Sequence, residues 1–484
     1  MPQQAKRIFK PNLRSLLAPR SIAIVGASDD VTKWGGSVLR NILDGGYTGK
    51  VYPVNARGGV FFGLQSYESI EALPEAPDLA LLTVGGRQVA SMLKECGRKQ
   101  IPAAIAIAAG FSETGAAGAE AEQDIARIAT EGGVTVMGPN CMGMISNEVQ
   151  LHAVGFVALH PARGTLSFVS QSGNLGSQVV NGCRRRGIGI DKFASVGNEA
   201  QIGAVNVLDY LRDDPNTSCV LMYIEGIDDG RLFLDAARRT AAVKPVVVLR
   251  AGLTESGSKA AASHTGAMAT EDRIVDAFFA KHDIIRAVDP YEAVSVAALC
   301  VGAHMPRGRN LVAMSSSGAS CVMAADTADE LDLPLLTLDG EAARSLEEVL
   351  PGFSSAANPV DLTGAMLTDR NLFPGALDAL ARANSLHLLM FSLPVAGAGY
   401  DVDGYAKALA AFAAGNDVTV AVAAHQASVR ESFDGHGLVT YEREREALQA
   451  LNVVANYALR RQRNRRAPQA GGPRATPPAP AAPP

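Results

Sequence analysis

The chain has 484 residues, with 44 Lys and Arg against 49 Asp and Glu and a net charge of −5, a balance that argues against a nucleic-acid footprint or a membrane-surface protein. Hydrophobic residues make up 47% and charged residues 19%, a globular composition long enough for about three domains of roughly 150 residues. Its apolar stretches stop well short of the ~20 residues that span a bilayer, and the start MPQQAKRIFKPNLRSLLAPR has no continuous apolar region before a small-residue cleavage site. The expected location is therefore the cytoplasm, and the expected ligand a small molecule.

From residue 21 onward short apolar runs alternate with amphipathic stretches: SIAIVG (21–26), KVYPVN (50–55), DLALLTV (78–84), AAIAIAA (103–109) and GVTVMGPN (133–140). Strands this uniformly apolar are buried on both faces, which calls for a parallel sheet with helices on each side. A first α/β unit is predicted over 8–148. GTLSFVSQSG (164–173), CVLMYIEG (219–226) and KPVVVLRAG (244–252) predict a second unit over 149–295, and LVAMSSSG (311–318), LHLLMFSL (386–393) and VTVAVAAH (418–425) a third over 296–457. The endings SQSG and SSSG fall at equivalent places, which suggests related sheets used twice. Over 458–484 Pro, Ala and Arg dominate, and a disordered tail is predicted, its Arg cluster a solvated helix end. Six cysteines (96, 141, 183, 219, 300 and 321) form no C-x-x-C pair, so neither a metal site nor a redox motif is expected and the thiols read as reduced packing residues.

GASDDVTKWGG, Gly26 to Gly36, follows the first strand and opens the first helix, where an α/β sheet binds a phosphate-bearing nucleotide. It is not a G-x-G-x-x-G, and the second strand ends PVNARGG without an acidic residue for a ribose diol. A nicotinamide-dependent oxidoreductase is thereby disfavoured, and a nucleotide with extra phosphates, met by Arg57, Lys33 or the Gly turns, is favoured over a purely structural turn. SQSGNLG (Ser170 to Gly176) and SSSGAS (315–320) each place small residues between a strand and a helix, two further candidate anion sites. The nucleophile elbow G-x-S-x-G is broken at Ser170. In SHTGA (263–267), His264 lies in a polar small-residue stretch; beside phosphate-binding helix starts, an imidazole can act as a phosphoryl carrier. Such a ring needs an orienting carboxylate, and Glu225 at the end of YIEG is the candidate.

The segments GASDDVTKWGG, VYPVN, GFSETG, GPNCMG, FVSQSG, SVGNEA, YIEGIDDG, AAASHTGA and NPVDLTG occur in the order seen in NDP-forming acyl-CoA synthetases. Over about residues 8 to 455 the sequence resembles the α subunits of the ADP-forming enzymes, relatives of succinyl-CoA ligase. The resemblance implies an N-terminal Rossmann-like CoA-binding domain followed by two flavodoxin-like succinyl-CoA-ligase-type domains. By the same resemblance Gly26, Ala27, Ser28 and Lys33 would face the CoA phosphates, and Val54, Asn55 and Val84 would line its nucleotide part. Asn140 and Cys141 would lie where the thiol enters. His264 would be the phosphorylated histidine with Glu225 holding its ring, and the helices opened at Ser170, Ser172 and Gly173 and at Ser317 and Gly318 would clamp the phosphate. SVGNEA and the residues around Val154 to Val157 would shape a small acyl pocket. Ala56, Gly85 and Ala319 depart from the family pattern.

The implied reaction is carboxylic acid + CoA + ATP giving acyl-CoA + ADP + phosphate, by way of an acyl phosphate and a phosphohistidine. An ATP-grasp segment is missing from the sequence, so ATP or ADP with Mg would be bound by a separate β-type subunit in a hetero-oligomer. The alternative is a CoA- or acyl-CoA-binding regulatory or scaffold protein with reduced catalysis.

Overall fold

The computed structural model describes residues 10–156, 158–227, 229–251, 256–257 and 272–466. Its first sheet is built from β1 (Ser21–Val25), β2 (Lys50–Val54), β5 (Leu79–Leu82), β6 (Ala103–Ala106) and β7 (Thr135–Met137), in the order β2-β1-β5-β6-β7 and parallel throughout. A small hairpin of β3 (Val60–Phe61) and β4 (Leu64–Gln65) follows β2. Every residue of β5 and β6 is buried, which is why these strands lack polar alternation.

β8 (Gly143–Ser146) and β9 (Leu151–Val154) are wholly buried antiparallel strands, and they belong to the second sheet. β8 pairs antiparallel with β11 (Ile190–Ser195). The chain therefore leaves the first sheet after Met137, within the unit predicted over 8–148. Strands of four residues outside the βα rhythm gave the pattern nothing to resolve. β10 (Arg163–Ser170), β12 (Cys219–Ile224), β13 (Val246–Arg250) and β14 (Ile285–Ala287) complete this sheet, order β14-β13-β12-β10-β11-β8-β9. The third sheet runs β16 (Val360–Asp361), β15 (Leu311–Ser315), β17 (Leu388–Ser392), β18 (Thr419–Ala423) and β19 (Val439–Tyr441), all parallel.

Shared apolar cores join the units. Ile24 and Met137 of the first sheet sit in one cluster with Met144, Val169, Ala194 and Met222 of the second. Helix Pro290–Gly302, buried from Ala293 to Cys300, packs between the second and third sheets, as an all-round apolar helix must. The last helix, Glu444–Arg466, corrects the tail expected from 458: it stays ordered to Arg466. Tyr457 is fully buried, Arg461 donates to its hydroxyl and to Ala242 O, and Asn464 donates to Lys281 O and Asp283 Oδ1. These bonds to the second unit hold a stretch whose composition alone reads as solvated. Residues 467–484 lie outside the described residues.

Inside the second unit, Lys192 is buried with its Nζ 2.7 Å from Asp191 Oδ2, 2.7 Å from Asp214 Oδ2 and 3.1 Å from Glu148 Oε2. Burial alone would lower the ammonium pKa, but the bonds to Asp191 and Asp214 outweigh it and raise it. Glu148 in turn meets Arg14 at 2.9 Å, tying the N-terminal helix Leu13–Leu17 to β11. Lys192→Met strips two buried carboxylates of their cation and is expected to cost about 3–5 kcal/mol, measured as a lowered denaturant midpoint at constant slope.

Candidate functional site between the first two sheets

The turn that carries the chain from β7 to β8 is fastened to the turn after β11. Asn198 N and Ala200 N donate to Pro139 O and Gly138 O, and Met142 N donates to Ser195 Oγ at 3.0 Å. Gly197, at φ +60°, lies so close that a Cβ there would stand 2.1 Å from Pro139 O, so no other residue fits. On the far side Met142 packs on the start of helix Gly173–Arg185, where a Cβ on Gly173 would be 3.0 Å from Met142 Cβ. Ser172 caps that helix weakly, its Oγ accepting from Leu175 N at 3.4 Å, and Ser170, buried behind it, donates to Ser172 O at 2.6 Å.

Gln171 is the clasp between strand ends. Its Oε1 accepts from Glu225 N at 2.5 Å and Gly226 N at 3.1 Å, while its Nε2 donates to Glu199 Oε1 and Gly226 O, both at 2.9 Å. This sets the YIEG end of β12 beside the helix start. Burial first, and the neighbouring Glu225 charge after it, push the Tyr223 hydroxyl pKa up.

These elements line an open cavity of about 600 Å³ with Asn140, Cys141, Ser172, Gly173, Glu199 and Glu225, and Trp34 of the first unit also lines it. Thus Asn140, Cys141, Ser172, Gly173 and Glu225, scattered over 86 positions of sequence from 140 to 225, are brought together. Cys141 is a wall rather than a reagent: burial pushes its thiol up to about 12, and Sγ donates to Ala106 O at 3.4 Å. His264 lies outside the described residues.

The first-strand turn is placed at the carboxyl edge of the first sheet. Gly26 N and Ala27 N both donate to Val54 O, and Asn55 donates from Nδ2 to Ala27 O and accepts from Arg57 N, so these groups hold the turn together. Val54 is buried, Val84 packs beside Gly26, and Ser28 Oγ accepts from Asp30 N. Lys33 is exposed, 3.2 Å from Asp30. The free donors lie one step further, at the start of helix Trp34–Asp44, whose N-cap residue Lys33 makes no side-chain cap. Gly35 is required there, since its Cβ would be 1.9 Å from Gly26 O.

Ser317 and Gly318 stand apart from the cavity, on the third sheet. Ser317 caps helix Gly318–Glu330, and a Cβ on Gly318 would be 2.8 Å from Asp361 Oδ2. An acidic side chain thus lies beside that helix mouth, next to where the sequence reading set a phosphate. Gln171, Ser195 and Glu199, the latter at φ +61°, were not singled out by sequence reasoning beyond the anion-site reading of SQSGNLG and the acyl-pocket reading of SVGNEA. Among the described residues no helix is long and apolar enough to cross a membrane, and no group of three or more His, Cys, Asp or Glu is arranged to hold a metal ion.

A nucleotide-type parallel sheet joined through one cavity to a sheet with a phosphate-ready helix start defines the architecture of an acyl-CoA ligase. Residues 20–147 match the model of a CoA binding domain, and residues 163–300 that of a succinyl-CoA ligase like flavodoxin domain. The α subunit of ADP-forming acetate–CoA ligase II of Pyrococcus furiosus is 34% identical over 447 residues, covering 91% of this chain and 96% of that one. The α subunit of ligase I from the same organism is 36% identical, covering 76% and 80%. ADP-forming acetate–CoA ligase I of Archaeoglobus fulgidus is also 36% identical, and there the matched region spans 54% of the longer relative. The acetyl-coenzyme A synthetase 1 of Ca. Korarchaeum cryptofilum, solved with phosphate and ADP, superposes with a TM-score of 0.84 at 30% identity, covering 93% of this chain and 98% of that one. The chain belongs to the NDP-forming acyl-CoA ligases, as one of their CoA-binding α-type chains.

Gln171→Ala removes four hydrogen bonds at once and leaves the Glu225 and Gly226 amides unpaired. The bonds are part-buried beside an open cavity, so the expected loss is about 1–3 kcal/mol in all, read as a lowered unfolding midpoint.

Proposed function

We propose that this chain binds CoA and carries the phosphoryl group in the reaction carboxylic acid + CoA + ATP giving acyl-CoA + ADP + phosphate, with ATP or ADP and Mg held by a separate ATP-grasp subunit of a hetero-oligomer. The observation that carries this reading is the shared cavity, where Asn140 and Cys141 of the CoA-type unit meet the Ser172–Gly173 helix start and Glu225.

The donor set of the first unit fits a polyphosphate. Helices Trp34–Asp44, Gly86–Lys99 and Ala116–Gly132 each begin without a side-chain cap, at Lys33, Gly85 and Gly115. All three follow strands of a parallel sheet, so their N-termini line its carboxyl edge. Lys33 and Arg57 add positive charge there. CoA supplies the thiol that displaces phosphate from an acyl phosphate.

In this reading His264 attacks the γ-phosphorus of ATP at the partner's site, and ADP leaves. The phosphoryl group then passes to the acid's carboxylate, and the ring is regenerated as the acyl phosphate forms. Glu225 orients the imidazole and stabilises its cationic form, by the same electrostatics that fix a histidine in a triad. The N–H groups at Ser172–Gly173 face the phosphate, a helix end contributing typically about 0.3–1 kcal/mol and up to about 2 when partly buried. Catalysis is positional and electrostatic.

His264→Ala is expected to abolish phosphorylation of the chain and acyl-CoA synthesis, with CoA affinity by calorimetry near wild type. Glu225→Gln is expected to slow labelling without abolishing it. Incubation of chain plus ATP-grasp subunit with γ-labelled ATP checks both: the label should be acid-labile and base-stable, and label that survives acid, or persists in His264→Ala, defeats the phosphohistidine. The chain without a partner is expected to make no thioester from ATP, since no described segment positions a nucleoside triphosphate for in-line transfer.

A further inference from the structure

Helix Trp34–Asp44 of the first unit lies against β9 of the second and is held to it along its length. At its start a Cβ on Gly155 would stand 2.2 Å from the indole of Trp34, and the Phe156 ring meets that indole edge-on at 4.4 Å. In its middle Ser37 Oγ accepts from Phe156 N at 2.6 Å, and Asn41 Nδ2 donates to Val154 O at 2.7 Å. At its end stands His152 of β9, 5% exposed, so close to the C-cap residue Gly45 that a Cβ there would be 2.8 Å from His152 Nδ1.

That nitrogen also lies 2.6 Å from Nδ1 of the half-buried His160, while His152 Nε2 lies 2.9 Å from Asn147 Oδ1. These contacts fix the protons. Asn147 Nδ2 faces carbonyls, Ile190 O at 2.7 Å and Pro161 O and Ala162 O further off, so its Oδ1 is the acceptor and His152 Nε2 carries the hydrogen. The neutral His152 ring then has a lone pair at Nδ1, which accepts from His160 Nδ1–H. A first proton is accommodated, because it goes on His160 Nε2 and leaves this bond intact. A second is not: on His152 Nδ1 it would set N–H against N–H, and among the described residues that nitrogen has no other hydrogen-bond partner.

We propose that His152 and His160 form an acid-released latch between the first two units, a hydrogen bond that tolerates one proton but not two and holds β9 and the chain at 160–162 in place against the end of helix Trp34–Asp44. Burial first, and the His160 charge after it, hold the His152 ring down at about 4. The other charges on the elements around it are already committed: Arg40 and Asp44 of the helix pair at 2.9 Å, and Glu148 of the β8–β9 turn and Asp191 of β11 are taken by Lys192. Tyr47, beyond the helix end, donates to Pro19 O. Leu159, 2% exposed, stays anchored in the core of the second unit, so release is local. An unfolded chain takes up this proton near 6.5 and the folded one near 4; the latch therefore contributes in full above about 6.5, and its contribution is lost as the pH falls from there towards 4.

The chain has one tryptophan, and its contact with Phe156 makes its emission a reporter of release. Wild type, His160→Gln and His160→Ala are followed from about pH 8 to about pH 4 by emission, far-UV dichroism and denaturant unfolding. A Gln amide donates to a neutral His152 and accepts from a charged one, so His160→Gln keeps the latch without its acid sensitivity. Wild type is expected to change emission below about pH 5 with its dichroism unchanged. Relative to His160→Gln its folding equilibrium constant is expected to fall by up to about tenfold per pH unit between about 6.5 and 4, the slope of one proton. His160→Ala is expected to show near pH 8 the emission that wild type reaches only in acid. His282 and His387, also held down by burial, titrate alike in all three chains and cancel in the comparison. Coincident pH profiles of wild type and His160→Gln overturn the proposal, as do nitrogen-15 ring shifts near pH 8 that put the His152 proton on Nδ1.

Discussion

The site depends on one passage of backbone, the turn from Gly138 to Gly143 that takes the chain out of a parallel sheet and into the antiparallel edge of its neighbour. The Pro139 and Gly138 carbonyls accept from the turn after β11, and Ser195 Oγ receives the Met142 amide. Both faces of β8 are buried, with Met144 in one core and Ile145 in another, so a slip of one residue would exchange these side chains between two differently shaped cores. Everything the cavity contains is placed relative to this fastening: Asn140 and Cys141 on one side, the Ser172 helix start against Met142 on the other.

Electrostatics divide the site into two environments. At the carboxyl edge of the first sheet, three helices start without a side-chain cap, a setting for an extended anion. A short distance along, the cavity wall carries carboxylates whose charge is met by amides, as with Glu113 on Gly110 N and Glu122 on Ser112 N. Helix starts thus stand at both places, and in the cavity they are set among carboxylates already held by backbone amides.

The third unit is tied to the second by the buried helix Pro290–Gly302 and by the final helix, with Tyr441 Oη donating to Ser295 O at 2.9 Å. Its helix start at Ser317 resembles the one at Ser172 in residue type, strand context and capping. The difference is the neighbour: Met142 stands against Gly173, and Asp361 against Gly318. Two matching sequence signals thus end in different electrostatic surroundings.

The amino-acid pattern by itself determined the parallel α/β units, because strands buried on both faces must be uniformly apolar, and it located SQSG, GPNC and YIEG at strand ends, because small residues are needed where a strand gives way to a helix or tight turn. Family resemblance supplied CoA and His264. Tertiary structure alone decided that β8 and β9 cross to the second sheet, since four-residue strands carry too little pattern. It also decided that the helix reaches Arg466, because what holds those residues is hydrogen bonding to Ala242, Lys281 and Asp283 far back in the chain. The clasp of Gln171 and the contact of Trp34 with Phe156 were invisible for the same reason: the partners stand 28 to 55 positions away for Gln171 and 122 for Trp34, and such distances are set by packing, which no local stretch encodes.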